Sequence, residues 1–166
     1  MAIKKGWEGR YFEDFEVGDV YQHPLGRTIT EADEVWCTNL VMSTNQLHFN
    51  YDYASKTQFG RSAVNAPYTV ALVTGMSVSD ISQNGVNLEW KEIKMPNPLF
   101  VGETLYAESI VLDKRESKSR PAQGIVTVKT RGITAEGKLV LELTRSILIY
   151  KKDYAPQTNL FPTCAE

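Results

Sequence analysis

The spacing of apolar positions changes character twice along the chain, and the changes mark out an entry segment, two helices separated by a polar stretch, and a run of strands. Val35, Trp36, Leu40 and Val41 recur at helical spacing up to about Met42. Thr30 stands at the start of this face with Asp33 three residues on, a capping-box variant that also puts an acid in the first turn. Pro67 suits the opening of a second helix, where its missing N–H costs nothing. Between Tyr68 and Ile81 the apolar residues Val70, Ala71, Leu72, Val73, Met76, Val78 and Ile81 cover most of the circumference, which predicts a buried core helix. After that the period becomes two. Val86, Leu88 and Trp90 alternate, and Leu105, Ala107, Ser109 and Val111 share one face of a strand over 101–111. Further strands are predicted over 125–130 and 139–150, with Glu136-Gly137 as a turn signal between them.

The segments between these elements are polar. Residues 7–26 have a loop-rich, exposed character, with short strands flanking the Gly18-Asp19 turn. His23 precedes Pro24 on extended backbone and reads as a surface or packing residue, with no acidic or nucleophilic neighbour in sequence. A short helix over 51–57 should end at Gly60. The loop 115–121 is polar and basic, and the tail 151–166 is rich in proline and polar residues. Neither repeats nor a linker divide the chain, so one domain is expected, its core at about 11–150. A buried helix followed by four or five antiparallel strands is an α+β arrangement, a long central helix wrapped by a curved sheet of about five strands. The open edge of such a sheet is commonly managed by pairing with a second copy, which makes a homodimer the expected assembly.

Composition narrows the function. With 166 residues, 42% hydrophobic and 23% charged, the chain has the make-up of a soluble globular domain. A net charge of −2 supplies no field that would recruit nucleic acid or an anionic membrane. The N-terminus lacks an apolar signal region and no run approaches about 18 apolar residues, so the cytoplasm is the expected location. Cys37 and Cys164 form neither a disulfide framework nor a metal-ligand spacing, and no metal is expected. That leaves His48, one of two histidines, set among hydrogen-bonding neighbours in the polar stretch. An imidazole there suits acid–base chemistry near neutral pH.

The order of these features resembles the MaoC-like enoyl-CoA hydratase family. Asn45-x-x-His48, Tyr53-Ala54, Phe59-Gly60, the long helix and Pro98-x-x-x-Gly102-Glu103-Thr104-Leu105 carry the resemblance, from about residue 11 to 150. It implies the hot-dog fold and reversible syn addition of water to a trans-2-enoyl-CoA, giving a (3R)-hydroxyacyl-CoA. No cofactor is implied beyond the coenzyme A of the substrate. The family signature is Asp-x-Asn-Pro-x-His; here Ser43 stands at the aspartate, Gln46 at the proline, and Asn65-Ala66 where a His-Gly pair is usual. The resemblance makes His48 the general base, with Asn45 in register and Ser43 able to orient a water. Asp33 and Asp52 are the nearest carboxylates in sequence. The N–H of Ala66 would meet the thioester oxygen at a helix N-terminus, Asn65 would cap that helix, and Thr74 would add a hydroxyl two turns on. Lys118 and Arg120, with Arg115, could contact coenzyme A phosphates, despite Glu116 in their midst. Two other readings stay open: a non-catalytic acyl-CoA-binding or scaffolding subunit, and a thioesterase drawing on Asp80.

Overall fold

Four long antiparallel strands carry the sheet of this protein, whose structure, a computed structural model, describes residues 2, 4 and 6–156. They are β3 (Gly85–Lys94), β4 (Thr104–Glu116), β5 (Gln123–Thr134) and β6 (Leu139–Tyr150). Two short strands of the entry segment, β1 (Val20–Gln22) and β2 (Arg27–Thr28), both add to β4. The sheet therefore has six strands, not about five, in the order β1-β4-β5-β6-β3. The proposed tail lies mostly outside the described residues, as does Cys164. Among the described residues no helix is long and apolar enough to cross a membrane.

Alternation dictates which side of the sheet is covered. Leu105, Ala107, Ser109 and Val111 of β4 point inward as their spacing predicts, and so do Leu141, Leu143, Arg145, Ile147 and Ile149 of β6. Across this face lies α3 (Ala66–Met76), which continues into a π-helical turn at Val78–Ser82. Val73 packs with Ile29, Val64, Leu99, Leu105, Val140, Leu141 and Leu143 in the main core. The approach of helix to sheet is close: a Cβ on Gly132 of β5 would lie 2.6 Å from Cγ2 of Val73.

A second core cluster joins Phe12, Phe15, Ile81, Val111, Val126, Val128, Ile147 and Ile149. The entry segment is thus partly interior, contrary to its polar look. Phe12 opens a 3-10 turn at Phe12–Asp14, and in that geometry side chains three apart eclipse. Phe12 and Phe15 therefore enter the core together, 6% and 0% exposed.

The apolar circumference of α3 is only half explained by a single chain. Thr69, Val73 and Thr74 are buried, while Ala66, Pro67, Ala71 and Gly75 on the outer side are exposed. Beside that outer face runs β3, exposed along nearly its whole length and paired only with β6 among the described residues.

Candidate active site

The site is assembled from the start of two helices and a loop between them. At α1 (Glu31–Leu40) the predicted capping box forms, with Thr30 accepting the N–H of Asp33 and the Asp33 carboxylate accepting that of Thr30. This box fixes the rotation of the helix. The next residue, Glu34, consequently turns inward and is only 1% exposed. At α3 the Oδ1 of Asn65 accepts the Tyr68 N–H at 3.1 Å, the cap expected of it. The backbone N–H of Asn65 donates to both Glu34 carboxylate oxygens, at 2.9 and 3.1 Å, and its Nδ2 reaches Thr38 at 3.4 Å. Glu34 thereby ties α1 to the start of the core helix.

His48 ends a 3-10 turn, Gln46–His48, that Asn45 caps by accepting the Leu47 N–H at 3.0 Å. Ser62 shares its hydroxyl proton between the carbonyls of Leu47 and His48, which fastens this turn to the strand-like segment before α3. Nδ1 of His48 lies 2.7 Å from the carbonyl oxygen of Ala63. A carbonyl only accepts, so Nδ1 carries the hydrogen and the neutral ring keeps a lone pair on Nε2. Oε1 of Glu34 is 3.5 Å from the same Nδ1, an electrostatic contact rather than a second hydrogen bond. Burial pushes the Glu34 carboxyl above the usual carboxylate range, against the opposing pull of the Asn65 N–H, the His48 charge and the Thr38 hydroxyl.

Other expected carboxylates are engaged elsewhere. Asp33 pairs with Arg27 at 2.6 Å besides capping α1, and Asp52 pairs with Lys56 at 2.6 Å on the exposed face of α2 (Tyr51–Ser55). Ser43 donates its N–H to the Thr38 carbonyl at the end of α1, and its hydroxyl has no bond to a described residue. Ala66 is the first residue of α3, so its N–H belongs to the turn that lacks helical acceptors. It also opens an apolar cleft of about 690 Å³ lined by Ala66, Pro67, Val70, Ala71, Trp90, Ile93 and Met95.

A second polar cluster lies beyond the far end of α3, and it corrects the reading of His23. That side chain is buried, with Nδ1 2.8 Å from Asp80 Oδ2 and Nε2 3.0 Å from the Ser109 hydroxyl, which in turn meets Thr130 at 2.9 Å. Asp80 also pairs with Arg10 at 3.0 Å, so it is held as a structural acid. Arg145 donates to Ser77 at 2.5 Å and Asn87 at 3.3 Å; burial lowers its guanidinium to about 10, still charged at neutral pH.

Burial pushes the His23 imidazole below its ordinary value, outweighing the hydrogen bond and charge of Asp80, and Arg145 and Arg10 push the same way. Burial alone would raise Asp80, but the bonds and charges of His23 and Arg10 hold it below the usual range. For the histidine, the unfolded chain takes its proton first as pH falls through about 6.5. For the aspartate, the stabilisation present above about pH 4 is lost as pH falls through the depressed folded value. These two groups act in one sense, lowering stability on acidification from below about pH 6.5, while the raised Glu34 carboxyl acts in the opposite sense as it takes its proton. Urea midpoints measured from pH 8 to 4 check this, with His23→Gln expected to remove the upper step. A His23→Gln curve parallel to that of wild type from pH 8 to 5 would contradict it.

A family model described as mesaconyl-CoA hydratase matches residues 3–158. The chain belongs to the mesaconyl-CoA hydratase family. Among relatives, the mesaconyl-CoA hydratase of Cereibacter sphaeroides is 34% identical over 148 residues, 89% of this chain and 43% of that protein. The (R)-specific enoyl-CoA hydratase of Rhodospirillum rubrum is 27% identical over 139 residues, 84% of this chain and 91% of that one. A Chloroflexus aurantiacus structure described as a MaoC domain dehydratase superposes with a TM-score of 0.86 at 30% identity, covering 98% of this chain and 47% of that one. The chain spans less than half the length of the mesaconyl-CoA hydratase it matches. Its rolled sheet around α3 is the hot-dog fold.

On this mesaconyl-CoA hydratase-family scaffold the expected site residues divide. His48 and Asn65 come together around Glu34, with Ala66 next in the chain after Asn65, whereas Asn45 serves as a cap within its own turn. Thr74 returns its hydroxyl to the Val70 carbonyl at 2.7 Å and sits about 12 Å along α3 from Ala66. Lys118 and Arg120 lie in the β4–β5 connection. His48 neighbours Ala63, which bridges to Phe100 just before β4 begins, so the length of that strand, roughly 40 Å, separates the two cations from it within one chain. Glu34 is the residue that the sequence pattern did not single out.

Proposed function

We propose that this chain adds water reversibly to a trans-2-enoyl-CoA, forming a (3R)-hydroxyacyl-CoA, with His48 as the general base. The observation that carries this reading is the 2.7 Å contact of His48 Nδ1 with the Ala63 carbonyl: a carbonyl only accepts, so Nδ1 holds the hydrogen and the lone pair of the neutral ring is on Nε2. A base of this kind takes the proton of the attacking water. Negative charge then develops on the thioester oxygen, where a donor at a helix N-terminus, the Ala66 N–H, stabilises it. The apolar cleft that starts at Ala66 suits the acyl group. The names of the relatives support a coenzyme A thioester as substrate.

The assembly follows from the same surfaces. A second copy placed against the unpaired edge of β3 would meet Val86 and Leu88, which are 55% and 49% exposed, and would roof the apolar cleft at Trp90 and Ile93, so that the acyl group lies between the two chains. The purified chain should therefore sediment as a dimer, and it should consume the conjugated absorbance of crotonyl-CoA or of a branched, dicarboxylic enoyl-CoA such as mesaconyl-CoA. No turnover of any enoyl-CoA would sink the hydratase reading. Turnover that appears only with a related chain added would favour instead a non-catalytic binding subunit, a role to which the uncoupled Ser43 hydroxyl also points. A monomer at micromolar concentration would overturn the dimer.

A further inference from the structure

We propose that Glu34 supplies the carboxylate of this site, as a positioning residue that holds His48 in place and neutralises the imidazolium formed during hydration. The proposal rests on the hydratase reading above. A glutamate that is 1% exposed is exceptional unless a cation or a function accounts for it. Among the described residues no lysine or arginine pairs with Glu34, and the cation within reach is His48, at 3.5 Å. Every other polar partner donates: the Asn65 N–H to both oxygens and the Thr38 hydroxyl at 3.3 Å. These partners are arranged for the ionised acid, which only accepts.

A charge placed there changes the proton economy of the site. As Nε2 takes a proton from water, the water oxygen bonds to C3 and the C2=C3 electron pair moves through C2 to the thioester oxygen as an enolate. The ring is now an imidazolium with Nδ1–H on Ala63 and Glu34 alongside, the arrangement by which a buried carboxylate stabilises a histidine cation. The enolate then collapses, and C2 takes the proton from Nε2. Water has been added as H and OH, the imidazole is neutral again, and no further reactant is consumed. Both new bonds form on the face of the alkene that the imidazole occupies, so the addition is syn. One histidine thus performs both transfers, which accounts for a serine at position 43 where the family has aspartate.

Three titratable groups face the Glu34 carboxyl: His48, Cys37 on its own helix and Tyr51 of α2. Burial pushes the pKa of the thiol and the phenol up, and nearby charge adds to it, Glu34 for Cys37 and Glu31 with Glu34 for Tyr51, so both stay neutral in the range that matters. Glu34→Gln keeps an acceptor for the Asn65 N–H while removing the charge, which separates the electrostatic role from the structural tie. The variant should fold, keep KM within about threefold and lose about 10²-fold in kcat at neutral pH. Because burial raises the Glu34 carboxyl, wild-type kcat should fall on acidification as that group takes a proton. The variant lacks this loss, so its deficit should shrink toward acid pH. Full activity in Glu34→Gln, or a deficit constant with pH, overturns the proposal, and in either case an active wild type leaves the hydratase reading standing. Should Glu34→Gln not fold, the carboxyl carbon of Glu34 can be titrated by NMR in wild type and in His48→Ala. A midpoint that rises when the imidazole is removed supports the pair, and an unmoved midpoint overturns it.

Discussion

Replacing His48 by alanine should lower the turnover of any enoyl-CoA substrate by about 10²–10⁴-fold, the range that a lost general base commands. The fold should survive. The imidazole is partly exposed and bonds one carbonyl, that of Ala63, so the stability lost should be about 1 kcal/mol. KM should change little, because Nε2 meets the transferred proton rather than the coenzyme A moiety. The measurement is loss of enoyl absorbance under saturating substrate, with a thermal melt of the same preparation. Activity equal to wild type would remove His48 from the mechanism, whereas lost activity with a collapsed melt would show a structural role instead.

Phe15→Ala should reduce the free energy of unfolding by about 3–5 kcal/mol, the usual effect of deleting a buried phenyl ring. Phe15 is completely buried, stands edge-on to Tyr21 at 5.8 Å and fills the second core cluster between β5, β6 and the π turn. The entry segment that carries it is otherwise attached there through Phe12 and the half-buried Tyr21, so the site has poor means to collapse around the void. Denaturation in urea gives the number directly, and a loss below about 1 kcal/mol would mean that the segment is peripheral to the core.

Much of the architecture can be read from the chain because its periodicities are strong. Leu139–Tyr150 is the predicted strand to the residue, Glu136-Gly137 is the turn before it, and Thr30 with Asp33 caps α1 as expected. Phe12 and Phe15 could not be recognised as interior, since a 3-10 spacing inside a polar segment resembles neither a helix nor a strand. The two ends of the His23–Asp80 contact lie 57 residues apart, and its formation depends on β1 and the π turn meeting over β4. Long-range pairing of that kind leaves no local trace.

Of the candidate site, the Asn65 cap and the helix start at Ala66 were legible, because local rules for helix caps apply there. Glu34 was not, because an acid in a first helical turn already has an ordinary explanation in the helix dipole. A cue was nonetheless present. Glu34 lies at i−3 and i−4 from Cys37 and Thr38, so the three share the inner stripe of α1, and all three are buried. Lys118 and Arg120 cluster locally, but their distance from His48 within one chain is set by the length of β4, which charge clustering does not reveal.

The absent side chain at position 132 has a consequence for how the protein can change. Gly132 and Val73 share a gap too narrow for one more methyl group, and Val73 is on the helix whose first residues meet Glu34. With Gly132→Ala, the Val73 side chain or the helix that carries it must shift unless position 73 loses bulk at the same time. The two positions are therefore epistatic, and neither is free to drift alone. A packing constraint thus runs from a strand residue on one side of the core, through Val73, to the helix whose cap joins Glu34 on the other.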